Sequence, residues 1–201
     1  MEQYFIKNPT TDKDIYKFDW NIGQDRFYFY SSNSVFSKSG MDFGSQLLVE
    51  EVIKDKENFE GHLLDLGCGY GPIGITIAYF LDKANVTMSD VNERALELCL
   101  MNAKENKVEE RVKVISSSAF ENINDNYDII VTNPPIRAGK DVVFSFYEGA
   151  HAHLNEGGSL YVVIQKKQGA PSTKSKLESL FGNCEAIAKK SGYFIFKATR
   201  K

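Results

Sequence analysis

The sequence predicts a doubly wound α/β domain. Two observations carry this: continuous apolar runs alternate with helical patterns from about Gly61 onward, and a glycine-rich turn follows the first run. A third, the paired runs around Ser191-Gly192 near the end, adds an antiparallel element. Strands that are apolar throughout belong in a parallel sheet covered on both faces, because each side chain must find an apolar neighbour.

Taken in order, Leu63–Leu66 reads as the first sheet strand and Pro72–Leu81 as the helix after it. Asn85–Asp90 is the second strand, and Asn92 caps a helix with Ala95, Leu96, Cys99, Leu100 and Ala103 as its apolar stripe. Arg111–Ser116 and Tyr127–Thr132 give strands three and four. A helix carrying Val143, Phe146, Tyr147, Ala150 and Leu154 on one face precedes the strand Leu160–Ile164, which Gly157-Gly158 opens. Ser172 begins a short helix that Gly182 ends, and Cys184–Lys189 and Tyr193–Thr199 form the terminal hairpin. The expected sheet is seven-stranded and mostly parallel.

The first sixty residues differ in character. Ten of the 25 Phe, Tyr and Trp residues fall within residues 1–36. Tyr16, Phe18 and Trp20 alternate, a turn follows, and Phe27 and Phe29 alternate again, which is a hairpin pattern. Its aromatics either stack unpaired bases or cover an edge of the core, and covering is favoured. A helix from about Asp42 to Lys54 links the hairpin to the sheet. The expected organisation is a single domain over 1–201, with 1–40 as a hairpin extension and 41–201 as the core.

Composition narrows the function classes. The chain has 201 residues, enough for one real core. No apolar segment approaches the roughly 20 residues of a membrane span, and the N-terminus lacks a signal-peptide core. Cys68, Cys99 and Cys184 are odd in number and far apart in the chain, and read as reduced packing thiols of a cytoplasmic protein. His62, His151 and His153 make no metal pattern with them, so no metal site is expected. Residues 166–201 hold nine Lys/Arg against two acids, within an overall formal charge of -3. That basic end either meets a phosphate backbone or is ordinary solvated surface.

Two stretches carry chemistry. The loop Asp65-Leu66-Gly67-Cys68-Gly69-Tyr70-Gly71 places glycines where a backbone can turn tightly and a ligand can approach. Asp90 follows at the end of strand two, where an acid holds ribose hydroxyls in this fold class. The dinucleotide fingerprint requires a small residue where Pro72 stands, so a pyrophosphate is the poorer guest. A cofactor with an ammonium and carboxylate at one end and adenosine at the other fits better, with Asp65 accepting from the ammonium. The second stretch, Thr132–Asp141, reads TNPPIRAGKD. Paired prolines stop a strand and stiffen the chain beyond it. The run is either a rigid exit or a preorganised set of acceptors, the Asn133 side chain and the Pro134 carbonyl.

With these residues in place, the chain resembles the class I S-adenosylmethionine-dependent methyltransferases. Asp65–Gly71 is similar to their first motif, Asp90 to the ribose-binding acid, and Asn133-Pro134-Pro135-Ile136 to the amino-methyltransferase motif. More narrowly it resembles the small methyltransferases related to the guanine-N2 enzymes of small-subunit ribosomal RNA. Val35-Phe36-Ser37 with Asp42-Phe43-Gly44-Ser45 matches their upstream signature. The resemblance covers about residues 30–200 and implies a Rossmann-like fold with S-adenosyl-L-methionine as cofactor. It also implies a substrate class, RNA or a ribosomal subunit, with methyl transfer to an exocyclic amine.

The resemblance also implies roles. Asp65, Gly67, Cys68, Gly69, Gly71, Asp90, Val91, Ser118, Ala119 and Asn133 would line the cofactor site; Asn133, Pro134, Pro135 and Ile136 would form the reaction site. Phe36, Arg137 and Lys140 would contact substrate. Ser118 stands where many relatives have an acid for the adenine amino group, and Ile136-Arg137 where the family often has Phe-His. Those guanine enzymes commonly carry a second, degenerate domain in front. A protein glutamine methyltransferase, whose amide has the same geometry, and a non-catalytic cofactor-binding or RNA-binding module are the rival readings.

Overall fold

The structure is a computed structural model that describes residues 15–32, 35 and 41–201. Phe36 and Ser37 lie outside the described residues. A two-stranded antiparallel hairpin, β1 (Ile15–Ile22) and β2 (Asp25–Ser32), precedes helix α1 (Phe43–Asp55). Strand β3 (Gly61–Leu66), helix α2 (Pro72–Phe80), strand β4 (Ala84–Asp90), helix α3 (Glu93–Glu105) and strand β5 (Val112–Ser116) follow. Strand β6 (Tyr127–Thr132), helix α4 (Lys140–His153), strand β7 (Leu154–Gln165), helix α5 (Ala170–Phe181), β8 (Glu185–Lys190) and β9 (Tyr193–Thr199) complete the chain.

The seven-stranded sheet has the order β5-β4-β3-β6-β7-β9-β8. All neighbours are parallel except the pairs that β9 makes with β7 and β8. The expected mostly parallel sheet with an antiparallel end is therefore present. Strand order reverses between β3 and β6, which opens a crevice at their C-terminal ends where ligands bind in doubly wound sheets. One apolar cluster lies on each face of the sheet. The first gathers α1, α2 and α3 around Leu48, Ile75 and Cys99; the second gathers α4 and α5 around Tyr147 and Leu177.

Three details depart from expectation. Leu100 is 57% exposed, and Leu98 and Asn102 take its place on the buried face of α3. The cause is the hairpin, which packs on α3 and turns that face toward itself. Asn102 Oδ1 accepts from Tyr30 N at 2.6 Å and Asn106 Oδ1 from Tyr28 N at 3.1 Å. Leu154 starts β7 rather than ending α4, because the strand begins well before the Gly157-Gly158 pair. Helix α5 begins at Ala170, since Gly169 at φ +114° breaks the chain there and Pro171 needs no donor in a first turn. Cys68 and Cys99, distant in sequence, come within 4.0 Å at their Sγ atoms and remain free thiols.

Phe27 and Phe29 are buried, and Phe18 and Trp20 pack against the first cluster. The hairpin aromatics thus cover the core, the alternative favoured from sequence. No described helix is long and apolar enough to cross a membrane.

Candidate active site

Asp65 sits in β3, 1% exposed. Its Oδ2 accepts the Gly74 N–H of α2 at 2.8 Å, while its Oδ1 is buried with no hydrogen-bond partner among the described residues. Burial raises its pKa to about 7, despite the Gly74 N–H acting in the other direction. An acceptor atom held in this state costs free energy until a donor reaches it.

Between Asp65 and α2 the chain runs through three left-handed glycines: Gly67 at φ +75°, Gly69 at +57° and Gly71 at +89°. Gly67 N and Cys68 N both donate to Ser89 O, at 2.8 and 2.9 Å, and Gly71 N donates to Cys68 O. Gly69 N donates to Asp90 Oδ2 at 2.9 Å. These four amides are not free donors for a ligand. They are consumed in binding the loop to the end of β4, because the carbonyl of Ser89 and the carboxylate of Asp90 stand directly opposite. The glycines serve close approach instead: a Cβ at Gly67 would meet Phe146 at 3.3 Å, and one at Gly71 would meet Cys99 Sγ at 2.6 Å.

Asp90 is 6% exposed at the end of β4. Its Oδ1 accepts Asn92 N at 2.9 Å, and the Val91 amide adds a further bond. Burial pushes its pKa up; the three amides oppose that. Of about four acceptor positions on a carboxylate, three are taken, leaving one for a ligand hydroxyl. Ser118 is exposed after β5 and Ala119 beside it holds φ +47°. The loop is fixed by Ser117, whose Oγ donates to Ala119 O and accepts from Asn122 N.

At the end of β6, Thr132 Oγ1 donates to Leu66 O at 2.8 Å and ties the two strand ends together across the crevice. The next residue is Asn133. Its Nδ2 donates to Ser45 Oγ at 2.9 Å and to Asp42 Oδ2 at 3.3 Å. Asp42 caps α1, accepting from Gly44 N and Ser45 N, and Ser45 Oγ donates to Asp42 Oδ2 at 2.6 Å. With the amide nitrogen spent on α1, Oδ1 is the atom of Asn133 available to a ligand. Pro134 is buried, and its carbonyl accepts Ile136 N at 2.8 Å across Pro135 at φ -75°, ψ 78°. This is an inverse γ-turn, and it fixes the direction of the Pro134 carbonyl while leaving its second lone pair. Ile136 packs against the second apolar cluster, as do Ala119 and Phe120, and Arg137 and Lys140 are exposed just beyond.

Sequence reasoning did not assign Asp42, Ser45, Gly74 or Thr132 a role. Asp42 with Ser45 three residues later is a readable cap, but its partner Asn133 is 91 residues away. Gly74, a glycine inside a helix, was the available sign of a close approach. A cavity of about 460 Å³ lined by His62, Arg111, Lys113, Asp125 and Tyr127 lies at the opposite edge of the sheet, where the strands begin. No group of His, Cys, Asp and Glu that could hold a metal ion occurs among the described residues.

Taken together, the crevice has its loop donors spent internally and two carboxylates with spare acceptor capacity. Such a site suits a cation and a hydroxyl, and is a poor host for a pyrophosphate. Residues 26–197 match the methyltransferase small domain family model. The chain belongs to that family. It is 42% identical over 201 residues to the uncharacterized protein YbxB of Bacillus subtilis, covering 98% of it. It is 34% identical over 199 residues to ribosomal RNA small subunit methyltransferase C of Actinobacillus pleuropneumoniae. That alignment takes in 97% of this chain and only 59% of the relative. Among solved structures, a T. thermophilus 16S rRNA N2 methyltransferase (RsmC) in complex with AdoMet and guanosine superposes with a TM-score of 0.84. It shares 25% identity and covers 96% of this chain, which spans 52% of its length.

Proposed function

We propose that this chain is an S-adenosylmethionine-dependent N-methyltransferase acting on an exocyclic amino group, guanine N2 of ribosomal RNA. The observation that carries the reading is the anchored amide of Asn133, whose nitrogen is held by Ser45 and Asp42 and whose Oδ1 is free to accept. Relatives that methylate small-subunit ribosomal RNA support the substrate, though this chain spans little more than half their length.

The crevice fits the cofactor. Asp65 Oδ1, buried and unpaired, accepts from its ammonium; Asp90 uses its remaining position on a ribose hydroxyl beside Val91. Gly67, Cys68, Gly69 and Gly71 give the close wall, and Ser118 and Ala119 border the adenine. When bound, the cofactor supplies an electrophilic methyl group on a sulfonium.

An exocyclic amine is a weak nucleophile because its lone pair is delocalised into the ring. Asn133 Oδ1 and the second lone pair of the Pro134 carbonyl accept its two N–H groups and leave the nitrogen lone pair aimed along the transfer line. Positive charge that develops at nitrogen is stabilised by these two fixed dipoles. Pro134 and Pro135 hold them without reorganisation, so orientation supplies most of the rate. No strong base is needed, since the product proton leaves after transfer. Ile136 borders the base through apolar contact rather than aromatic stacking, and Arg137 and Lys140 stand beyond it for phosphate; Phe36, outside the described residues, is kept as a substrate contact on the sequence resemblance alone.

The test is incubation with methyl-labelled S-adenosylmethionine and, separately, naked small-subunit rRNA, assembled small subunits and total ribosomal protein. Label recovered as N2-methylguanosine after nuclease digestion is the expected result. Label confined to protein glutamine would overturn the substrate assignment.

A further inference from the structure

The two sides of the crevice are joined to a basic rim. Strand β7 runs parallel to β6 and extends three residues past the level of Thr132, so Lys166 and Lys167 emerge at the same edge as Asn133. Lys166 N donates to Gly192 O at 2.8 Å, which places the β8–β9 turn, with Lys189 and Lys190 before it, at that edge too. The contact path from the reaction site is continuous. Asn133 bonds Asp42; Phe43 follows Asp42; the Phe43 ring lies 5.8 Å from that of Tyr193, and Lys190 Nζ stands 5.8 Å from the Phe43 ring centre.

Among the described residues, none of Lys166, Lys167, Lys189 and Lys190 is ion-paired, and all four are exposed. Other lysines of the same basic segment are neutralised: Lys174 pairs with Glu178, Lys176 with Glu148 and Lys197 with Asp55. Four exposed lysines with no ion pair among the described residues thus stand on the rim of the crevice. Phe43 is 37% exposed among them, an apolar ring left in water beside cations. Aromatic faces interleaved with lysines suit a single strand, whose bases stack while its phosphates are neutralised.

We propose that Lys166, Lys167, Lys189 and Lys190 form the surface that holds the phosphate backbone of the substrate RNA, with Phe43 stacking an unpaired base between them and Asn133. This rests on the reading of RNA as substrate. The rim sets how the strand enters, and Asn133 receives the base it delivers.

The experiment is fluorescence anisotropy of a labelled small-subunit rRNA hairpin with the full chain, between about 50 and 200 mM potassium chloride. K189A/K190A and K166A/K167A should each reduce the slope of log affinity against log salt by about 1.4, two phosphates at roughly 0.7 each for a single strand. K174A/K176A, which removes the same charge from α5, should leave the slope at its wild-type value. Phe43→Leu should weaken binding about tenfold with the slope unchanged. Calorimetry with S-adenosylmethionine should be the same for all variants, which controls for folding. Equal slopes for the rim pairs and the α5 pair would overturn the surface, and so would binding to RNA-free ribosomal protein in place of RNA. If the wild type methylates RNA while the rim variants keep its slope, the surface alone fails. If the wild type binds cofactor but neither binds nor methylates RNA, the substrate reading fails and takes the surface with it.

Discussion

The side-chain nitrogen of Asn133 donates to Ser45 Oγ at 2.9 Å, fastening the end of β6 to the first turn of α1. Ser45 in turn donates to Asp42, the residue that caps that helix. A helix N-cap therefore serves a second purpose, since it fixes which end of an amide faces the crevice.

Ser45→Ala removes one of the two anchors together with the Ser45–Asp42 side-chain bond, while the backbone amides of Gly44 and Ser45 keep their acceptor, Asp42 Oδ1. One hydrogen bond is worth about 1 kcal/mol, so kcat should fall about five- to tenfold. The Kd for S-adenosylmethionine should be unchanged. Single-turnover kinetics with calorimetry separates the two quantities; a change in cofactor affinity alone would place Ser45 in the cofactor site instead.

Asp65 yields a pH prediction. Its carboxyl titrates at about 7 in the ligand-free protein because burial disfavours the charge. A cationic ligand binds the ionised form, so below that pKa each binding event must first release a proton. Cofactor affinity should rise as pH increases through about 6 to 7 and level off above. Asp65→Asn, which can still accept from Gly74 N, should bind weakly and with a flat profile over this range. Calorimetry in buffers of different ionisation enthalpy reports the proton release directly.

The same shift has a stability consequence with a definite sign. A carboxyl whose folded pKa lies above the unfolded value of 3.8 favours folding when protonated, and that contribution is lost as pH rises through about 7. Asp65→Asn should therefore raise the Tm of the ligand-free protein more at about pH 8 than at about pH 5. Thermal scans at the two values check it, and equal shifts would contradict it.

Gly74 offers a packing test. A Cβ there would stand 2.8 Å from Met88 Sδ and 2.9 Å from Asp65 Oδ2. Gly74→Ala should cost about 1–3 kcal/mol by overpacking. The displaced Asp65 should also weaken cofactor binding. Urea denaturation measures the first effect and calorimetry the second.

The hairpin can be released separately. Asn106 Nδ2 donates to Tyr28 O at 2.8 Å, and its Oδ1 accepts from Tyr28 N. Asn106→Ala leaves both groups unpaired at a cost of about 1–3 kcal/mol. Hydrogen exchange should show lost protection at Tyr28, with β3 to β6 unaffected.

Much of the fold and site was legible in the sequence, for physical reasons. Strands buried on both faces are apolar throughout, so β3, β4, β6 and β7 announced themselves, and the Asn92 cap and the Gly182 stop are local signals. The glycine loop, Asp90 and Asn133 were legible because each lies at a strand end and in chain order. The features that stayed hidden were long-range. Leu100 belonged on the stripe by period, yet the hairpin selected a different face of α3. The glycines mark a tight turn that a ligand can approach, but only the register of β3 against β4 shows Ser89 and Asp90 taking the loop amides. The anchors of Asn133 lie 88 and 91 residues away, a separation no periodicity encodes.

The most direct measurement is methyl transfer by Asn133→Ala, set beside its affinity for S-adenosylmethionine. Removing Oδ1 takes away one of the two acceptors proposed to aim the amine, while Asp65 and the glycine loop are untouched. Transfer to guanine N2 should fall by at least about 100-fold, the scale of losing one preorganised dipole at the reacting centre, with cofactor Kd within about twofold of wild type. Turnover near the wild-type rate would contradict the assignment of Asn133 as the amine acceptor.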